Sequence, residues 1–193
     1  MRRQGFTLIE LLTVMAIIAI LVGITIGVAG PIQKNAARKR AKVEIDAIEL
    51  ALENFKIDNG DYPNATQVGV PGSVYSGDPT GSGYTVASQQ LFAALCGRSD
   101  YTLAPTTTVY FEARQGQVDN STGGVSALVD PFGFPYGYFY DFSSSSGPGG
   151  QSKSLFNLVV PDIWSTANER DTPADTSNFI YYRWVTNWDN SAP

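Results

Sequence analysis

From Phe6 to Gly30 the chain runs for about 25 residues with a single charge, the carboxylate of Glu10. As an α-helix this run would be ~37 Å long, against a bilayer hydrocarbon core of ~30 Å. Leu11 through Val22 is apolar on every side of such a helix. A helix apolar all round is a membrane span or a deeply buried core helix. Arg2 and Arg3 precede the run and favour a cytoplasmic N-terminus. A secretory signal peptide also has a basic start and an apolar stretch, but this run is too long for one and holds an acid. A carboxylate inside a membrane segment costs roughly 2.5–3.5 kcal/mol on insertion scales, and it marks a function.

Beyond Pro31 the pattern turns amphipathic. Ala41, Ile45, Ile48, Leu52 and Phe55 recur at spacings of four, three, four and three, which predicts a helix from Gln33 to about Asn59 with one apolar stripe. Lys34, Arg38, Lys39, Arg40 and Lys42 decorate its other faces, followed by Glu44, Glu49 and Glu53. The basic cluster lies just outside the apolar run, where it would meet lipid headgroups or neighbouring acids. It opposes the positive-inside rule. Gly23, Gly27, Gly30 and Pro31 interrupt the two halves. They allow a kink or local melting, or close packing of small residues against a neighbouring helix. Asp58-Asn59-Gly60-Asp61-Tyr62-Pro63 ends the helix, with Gly60 as a left-handed cap and Pro63 blocking continuation.

The remaining pattern predicts a small head. Residues 64–87 read as a long surface loop, and Ser88–Cys96 as a short helix capped by Ser88 with Leu91, Phe92 and Leu95 facing inward. Cys96 there reads as a buried small hydrophobe. Residues 107–113 read as extended and 115–127 as a loop. Asp130–Tyr140 reads as a Pro/Gly turn feeding a strand of alternating aromatics. Residues 143–150 read as a hairpin tip or loop, with strands over 156–160 and 179–185. One cysteine excludes an intrachain disulfide, and the absence of histidine removes the commonest general base and zinc ligand. A net charge of −5 without a basic stripe in the head argues against nucleic acid as a partner. No nucleophile with a base, metal-ligand cluster or phosphate loop is present, so an enzyme is not expected.

Arg2-Arg3-Gln4-Gly5 followed by Phe6-Thr7-Leu8-Ile9-Glu10-Leu11-Leu12 resembles the class III signal of type IV pilins and type II secretion pseudopilins. The resemblance implies cleavage after Gly5 by a prepilin peptidase, N-methylation of Phe6 as the new first residue, and an assembly role for Glu10. Cleavage would leave a net charge of −7, with 11 basic against 18 acidic residues. Physically, a buried carboxylate seeks a cation, and the amine freed on Phe6 of a neighbouring subunit is a natural partner for Glu10. The Asp58–Pro63 ending and the Asp130-Pro131-Phe132-Gly133-Phe134-Pro135-Tyr136 segment are similar to major, G-type pseudopilins, with Phe132 in place of their usual Trp. In that family the loop after a similar Trp-Ser strand binds one calcium ion. By position the resemblance implies Ser165, Asp171 and Asp175, with a solvated acidic loop as the alternative. The usual glycine-rich run is missing and Arg170 adds a cation. No other cofactor is implied.

The expected architecture is α+β and type IV pilin-like: a long N-terminal helix, half membrane and half amphipathic, packed on a small antiparallel sheet. Residues 1–5 form a leader, 6–30 a transmembrane and assembly helix, 31–60 its amphipathic continuation, and 61–193 a periplasmic globular head. The implied place is the bacterial inner membrane, single-pass with a cytoplasmic N-terminus, and then a periplasmic filament. The implied partners are the chain itself and other pseudopilins, the prepilin peptidase, the inner-membrane assembly platform and the membrane. The expected role is a structural subunit of a type II secretion pseudopilus. A type IV pilin for adhesion, motility or DNA uptake and a membrane-tethered periplasmic binding module are the alternatives.

Overall fold

A computed structural model describes residues 7–63, 82–122, 124–140, 160–168 and 184–187. The long periodic pattern forms one helix, α1 (Leu8–Asn59). The helix continues through Gly23, Gly27, Gly30 and Pro31, although Pro31 has no N–H to donate to the preceding turn. The chain divides into two compact units, Met1–Ala36 and Ala37–Pro193.

In the first unit the large apolar side chains from Leu8 to Val22 are exposed. Among the described residues no helix is long and apolar enough to cross a membrane. The described apolar stretch stops at Gly23, ~24 Å of helix. The side chains at 24–29, which continue the run in the sequence, lie outside the description.

In the second unit the predicted stripe is buried. Ala41, Ile45, Ile48 and Leu52 are almost wholly inaccessible, and Phe55 packs at the margin of the core. They meet Leu91, Phe92 and Leu95 of α2 (Ser82–Cys96) and the aromatic residues Tyr136, Tyr138 and Trp164. As predicted, α1 stops at Gly60, whose φ is +84° and whose N–H donates to the Lys56 carbonyl at 2.8 Å.

The helix α2 begins six residues earlier than the capping pattern predicts. Ser88 is not its cap: the side chain is buried and its hydroxyl donates to the Leu128 carbonyl at 2.5 Å. Residues 107–113, expected to be extended, include bends at Thr107 and Tyr110 and join no strand. The N–H groups of Tyr110 and Phe111 both donate to the Leu95 carbonyl at the end of α2. The predicted loop over 115–127 instead holds a 3₁₀ turn (Gln115–Gln117) and a hairpin of β1 (Val118–Thr122) and β2 (Val125–Leu128).

The second sheet is antiparallel, in the order β3 (Gly137–Phe139), β4 (Asp162–Ser165), β5 (Val185–Thr186). Within the aromatic segment the strand is the three residues of β3, and β4 ends on Trp164-Ser165, the strand that the resemblance implies ahead of the loop. Most of the predicted strands over 156–160 and 179–185 lies outside the described residues, as do 143–150, and Val160, which is described, is a bend and not part of a strand. Among the described residues, two sheets and two helices around one aromatic core make the head α+β, with α1 packed on it as predicted.

Candidate functional site

At the start of α1 sits Glu10, the residue for which the resemblance implies an assembly role. Its carboxylate is exposed and held locally. Oε2 accepts the Thr7 backbone N–H at 2.9 Å and the Thr7 hydroxyl at 2.6 Å. Thr7 Oγ1 in turn accepts the Glu10 N–H at 3.4 Å. This reciprocal arrangement is a capping box, in which an N-cap threonine and an acid three residues on satisfy each other's orphan donors. The Thr-x-x-Glu spacing before an apolar run was available in the sequence, and reading Glu10 only as a partner for another chain missed it. Gly5 and Phe6 lie outside the described residues.

Farther along α1, a second acid turns inward. Glu44 occupies the i+3 position of the buried stripe that starts at Ala41, and it is 8% exposed. A buried carboxylate needs partners. Glu44 has two: Arg40 Nε at 2.9 Å and the Tyr136 hydroxyl at 2.7 Å. Burial first, and then the neighbouring Glu44 charge and hydrogen bond, hold the Tyr136 phenol far above the ordinary tyrosine range. Lys42 reaches from the same turn to the Thr186 carbonyl of β5 at 3.2 Å. The signal for Glu44 was its spacing: an acid on an apolar stripe is buried and paired.

The C-terminal end of α1 is gripped by tyrosines. Tyr62 donates to Glu53 at 2.5 Å, Tyr110 to Asp58 at 3.0 Å, and Tyr138 to the Pro63 carbonyl at 2.6 Å. Tyr140 donates to Asp61 Oδ1. The rings of Tyr62 and Tyr140 meet edge to face, 5.0 Å between centroids. The whole set ties the helix terminus to β3 and its flanks.

Of the three residues expected at calcium, Asp171 and Asp175 lie outside the described residues. Ser165 is buried, and its hydroxyl is committed: it donates to Asp130 Oδ2 at 2.5 Å and accepts the Ala167 N–H at 3.0 Å. Asp130 also accepts the N–H groups of Phe132 and Phe134, closing the Pro/Gly turn around Gly133, whose φ is +85°. Burial pushes the Asp130 carboxyl up from the usual aspartate range, opposed in part by these bonds. Its role in joining the turn to β4 left no sequence signal beyond the turn itself. Among the described residues no group of three or more His, Cys, Asp or Glu could hold a metal ion.

A long helix with an acid in its first turn, packed through its later half on a small antiparallel head, is an α+β arrangement consistent with a type IV pilin-like fold. The Prokaryotic N-terminal methylation motif matches residues 1–26, and the family Type II secretion system (T2SS), protein G matches residues 30–70. The chain is similar to type II secretion system core protein G of Pseudomonas aeruginosa, 40% identical over 83 residues, which is 42% of this chain and 56% of that protein. The same protein of Vibrio cholerae is 37% identical over 68 residues, 35% of this chain and 47% of that protein. That of Pectobacterium carotovorum is 33% identical over 66 residues, 34% of this chain and 42% of that protein. The chain thus matches about half the length of these curated relatives. No solved structure matches it significantly. The resemblance to the G-type pseudopilin rests on the N-terminal portion of the chain.

Proposed function

We propose that this chain is a structural subunit of a type II secretion pseudopilus, not an enzyme, and that it polymerises through α1 after its leader is cut. One observation carries the reading: a methylation motif over residues 1–26 is followed directly by a protein G match over 30–70, with Glu10 in the first turn of a 52-residue helix. In this reading residues 6–30 cross the inner membrane, and the head from 61 onward stands in the periplasm. The prepilin peptidase frees the Phe6 amine, and the assembly platform delivers the subunit to copies of itself and other pseudopilins.

Assembly is then an exchange. In the single chain the Glu10 carboxylate is satisfied by Thr7. In the filament it takes the ammonium of an adjoining copy, a charge-assisted bond roughly twice as strong as a neutral one. A low-dielectric surrounding strengthens that pairing and penalises any register that leaves the carboxylate alone. Calcium has no step in this reading.

The test is Glu10→Ala in cells supplying the peptidase and assembly platform. Mass spectrometry of the mature chain is expected to show N-methylated Phe6 in both wild type and variant. Filaments visible by electron microscopy are expected to fall at least about tenfold in the variant, in line with the loss of one desolvated ion pair. A wild-type chain that keeps Met1 to Gly5 uncut would end the reading.

A further inference from the structure

Four cations crowd the start of the second unit. Arg38, Lys39, Arg40 and Lys42 fall at about 0°, 100°, 200° and 40° around α1. Lys39, Arg40 and Lys42 are exposed, and Arg38 is half-buried. The direction left over, about 300°, belongs to Ala41, which is wholly buried. The charges therefore form a collar around the helix and not a stripe along it.

That shape separates the partners such a patch could meet. A neighbouring helix lies along one side of α1 and would be matched by a stripe. A helix that emerges from a bilayer is ringed by headgroups, and Lys and Arg at that level are drawn to anionic ones. The sequence places the collar at such a level. It begins eight residues beyond Gly30, and no acid stands between Glu10 and Glu44. It falls within the ~15–20 residues over which the positive-inside rule counts Lys and Arg. In the orientation proposed above, these charges stand on the side that the rule disfavours, so they call for a compensating contact.

Acids within the head do not cancel the collar. Arg40 pairs with Glu44 and Lys42 with Asp46, each at 2.9 Å. Residues 38–46 then hold four basic against two acidic side chains, a net charge of +2. The groove beside Arg40 adds one base, Arg114, and one acid, Glu112. Lys42 also donates to the Thr186 carbonyl of β5 at 3.2 Å, which fixes the collar to the head.

We propose that the Arg38–Lys42 collar binds the phosphate-bearing headgroups of anionic phospholipids where α1 leaves the membrane. The proposal rests on the membrane span read above for residues 6–30 and goes beyond it by assigning the class of lipid that each subunit gathers.

Spin-labelled lipids test it. The full chain, purified from cells supplying the peptidase, is reconstituted in phosphatidylcholine bilayers. Each sample carries a trace of spin-labelled phosphatidylglycerol or spin-labelled phosphatidylcholine. Electron paramagnetic resonance resolves the lipid slowed against the protein. Wild type is expected to favour phosphatidylglycerol at least about threefold. In about 1 M NaCl, where the screening length is ~3 Å, the preference is expected to vanish. Arg38→Gln with Lys39→Gln removes two charges and is expected to abolish it in low salt as well. Arg38→Lys with Lys39→Arg keeps both charges and is expected to keep it. Slowed lipid without a preference, or a preference that survives in the glutamine variant, overturns the collar and leaves the span standing. No slowed lipid at all rejects the span and the collar together. Filaments lost in the glutamine variant, with no lipid preference in wild type, would assign the collar to acids of a second copy and overturn the proposal.

Discussion

At the scale of single residues, the tightest constraint is the contact between Gly137 and Trp164. They face each other across β3 and β4, and the indole ring fills the space a Cβ on Gly137 would occupy. Trp164 is fully buried and stacks at 6.1 Å on Trp184, with its Nε1–H donated to Tyr84 at 2.9 Å. Such a ring cannot move aside without breaking its own contacts. Gly137→Ala is therefore expected to destabilise the head by about 1–3 kcal/mol, the usual cost of overpacking a core. Urea unfolding followed by tryptophan fluorescence measures it, and a midpoint equal to wild type would refute it. Nothing in the segment Tyr136-Gly137-Tyr138 announced this: the glycine read as part of a turn, and its partner lies 27 residues away.

At the scale of elements, the end of α1 is a latch of hydroxyls. Tyr138 is buried, and its hydroxyl supplies the Pro63 carbonyl with a partner. Tyr138→Phe keeps the ring and orphans that carbonyl, at an expected cost of about 1–3 kcal/mol. A thermal melt of the variant checks it, and an unchanged midpoint would show that the carbonyl finds another donor. The elements differ in how far they were legible. The head-side part of α1 was readable because its signal is local: five apolar residues at helical spacing, and a glycine able to take positive φ at the end. The start of α2 was not, because Ser82 to Val86 has the composition of a loop. Tyr84 and Ala87 are drawn into the core, and that packing overrides weak propensity. The hairpin of β1 and β2 was missed for a related reason. Its strands are short and carry Asp, Asn, Ser and Thr, residues poor in strand signal, and they are fixed by pairing to each other and to Ser99 and Gln117. At the N-terminus Glu10 stood out by its place in the apolar run, while its bond to Thr7 was overlooked.

At the scale of the whole molecule, the head has its stability tied to neutral tyrosine. Tyr62, Tyr136, Tyr138 and Tyr140 are all held above the ordinary tyrosine range, in each case by burial first and by neighbouring acids or phenols after it. A pKa raised on folding contributes stability that is present below the unfolded value, about 10, and is lost as pH rises through the folded value. The melting temperature is thus expected to fall steeply above about pH 10, with tyrosinate absorbance rising together with the loss of near-ultraviolet circular dichroism. A midpoint unchanged at pH 11 would contradict this.

The threonine that holds Glu10 has a further consequence for traffic through the membrane. In the reading proposed above, the carboxylate of an unassembled subunit enters lipid with two hydrogen bonds already made, to the Thr7 hydroxyl and amide. An arriving ammonium gains only its advantage over a hydroxyl and an amide that are always one turn away. In that reading each contact gains less than a bare carboxylate meeting an ammonium would, by the worth of the two bonds to Thr7 that it gives up.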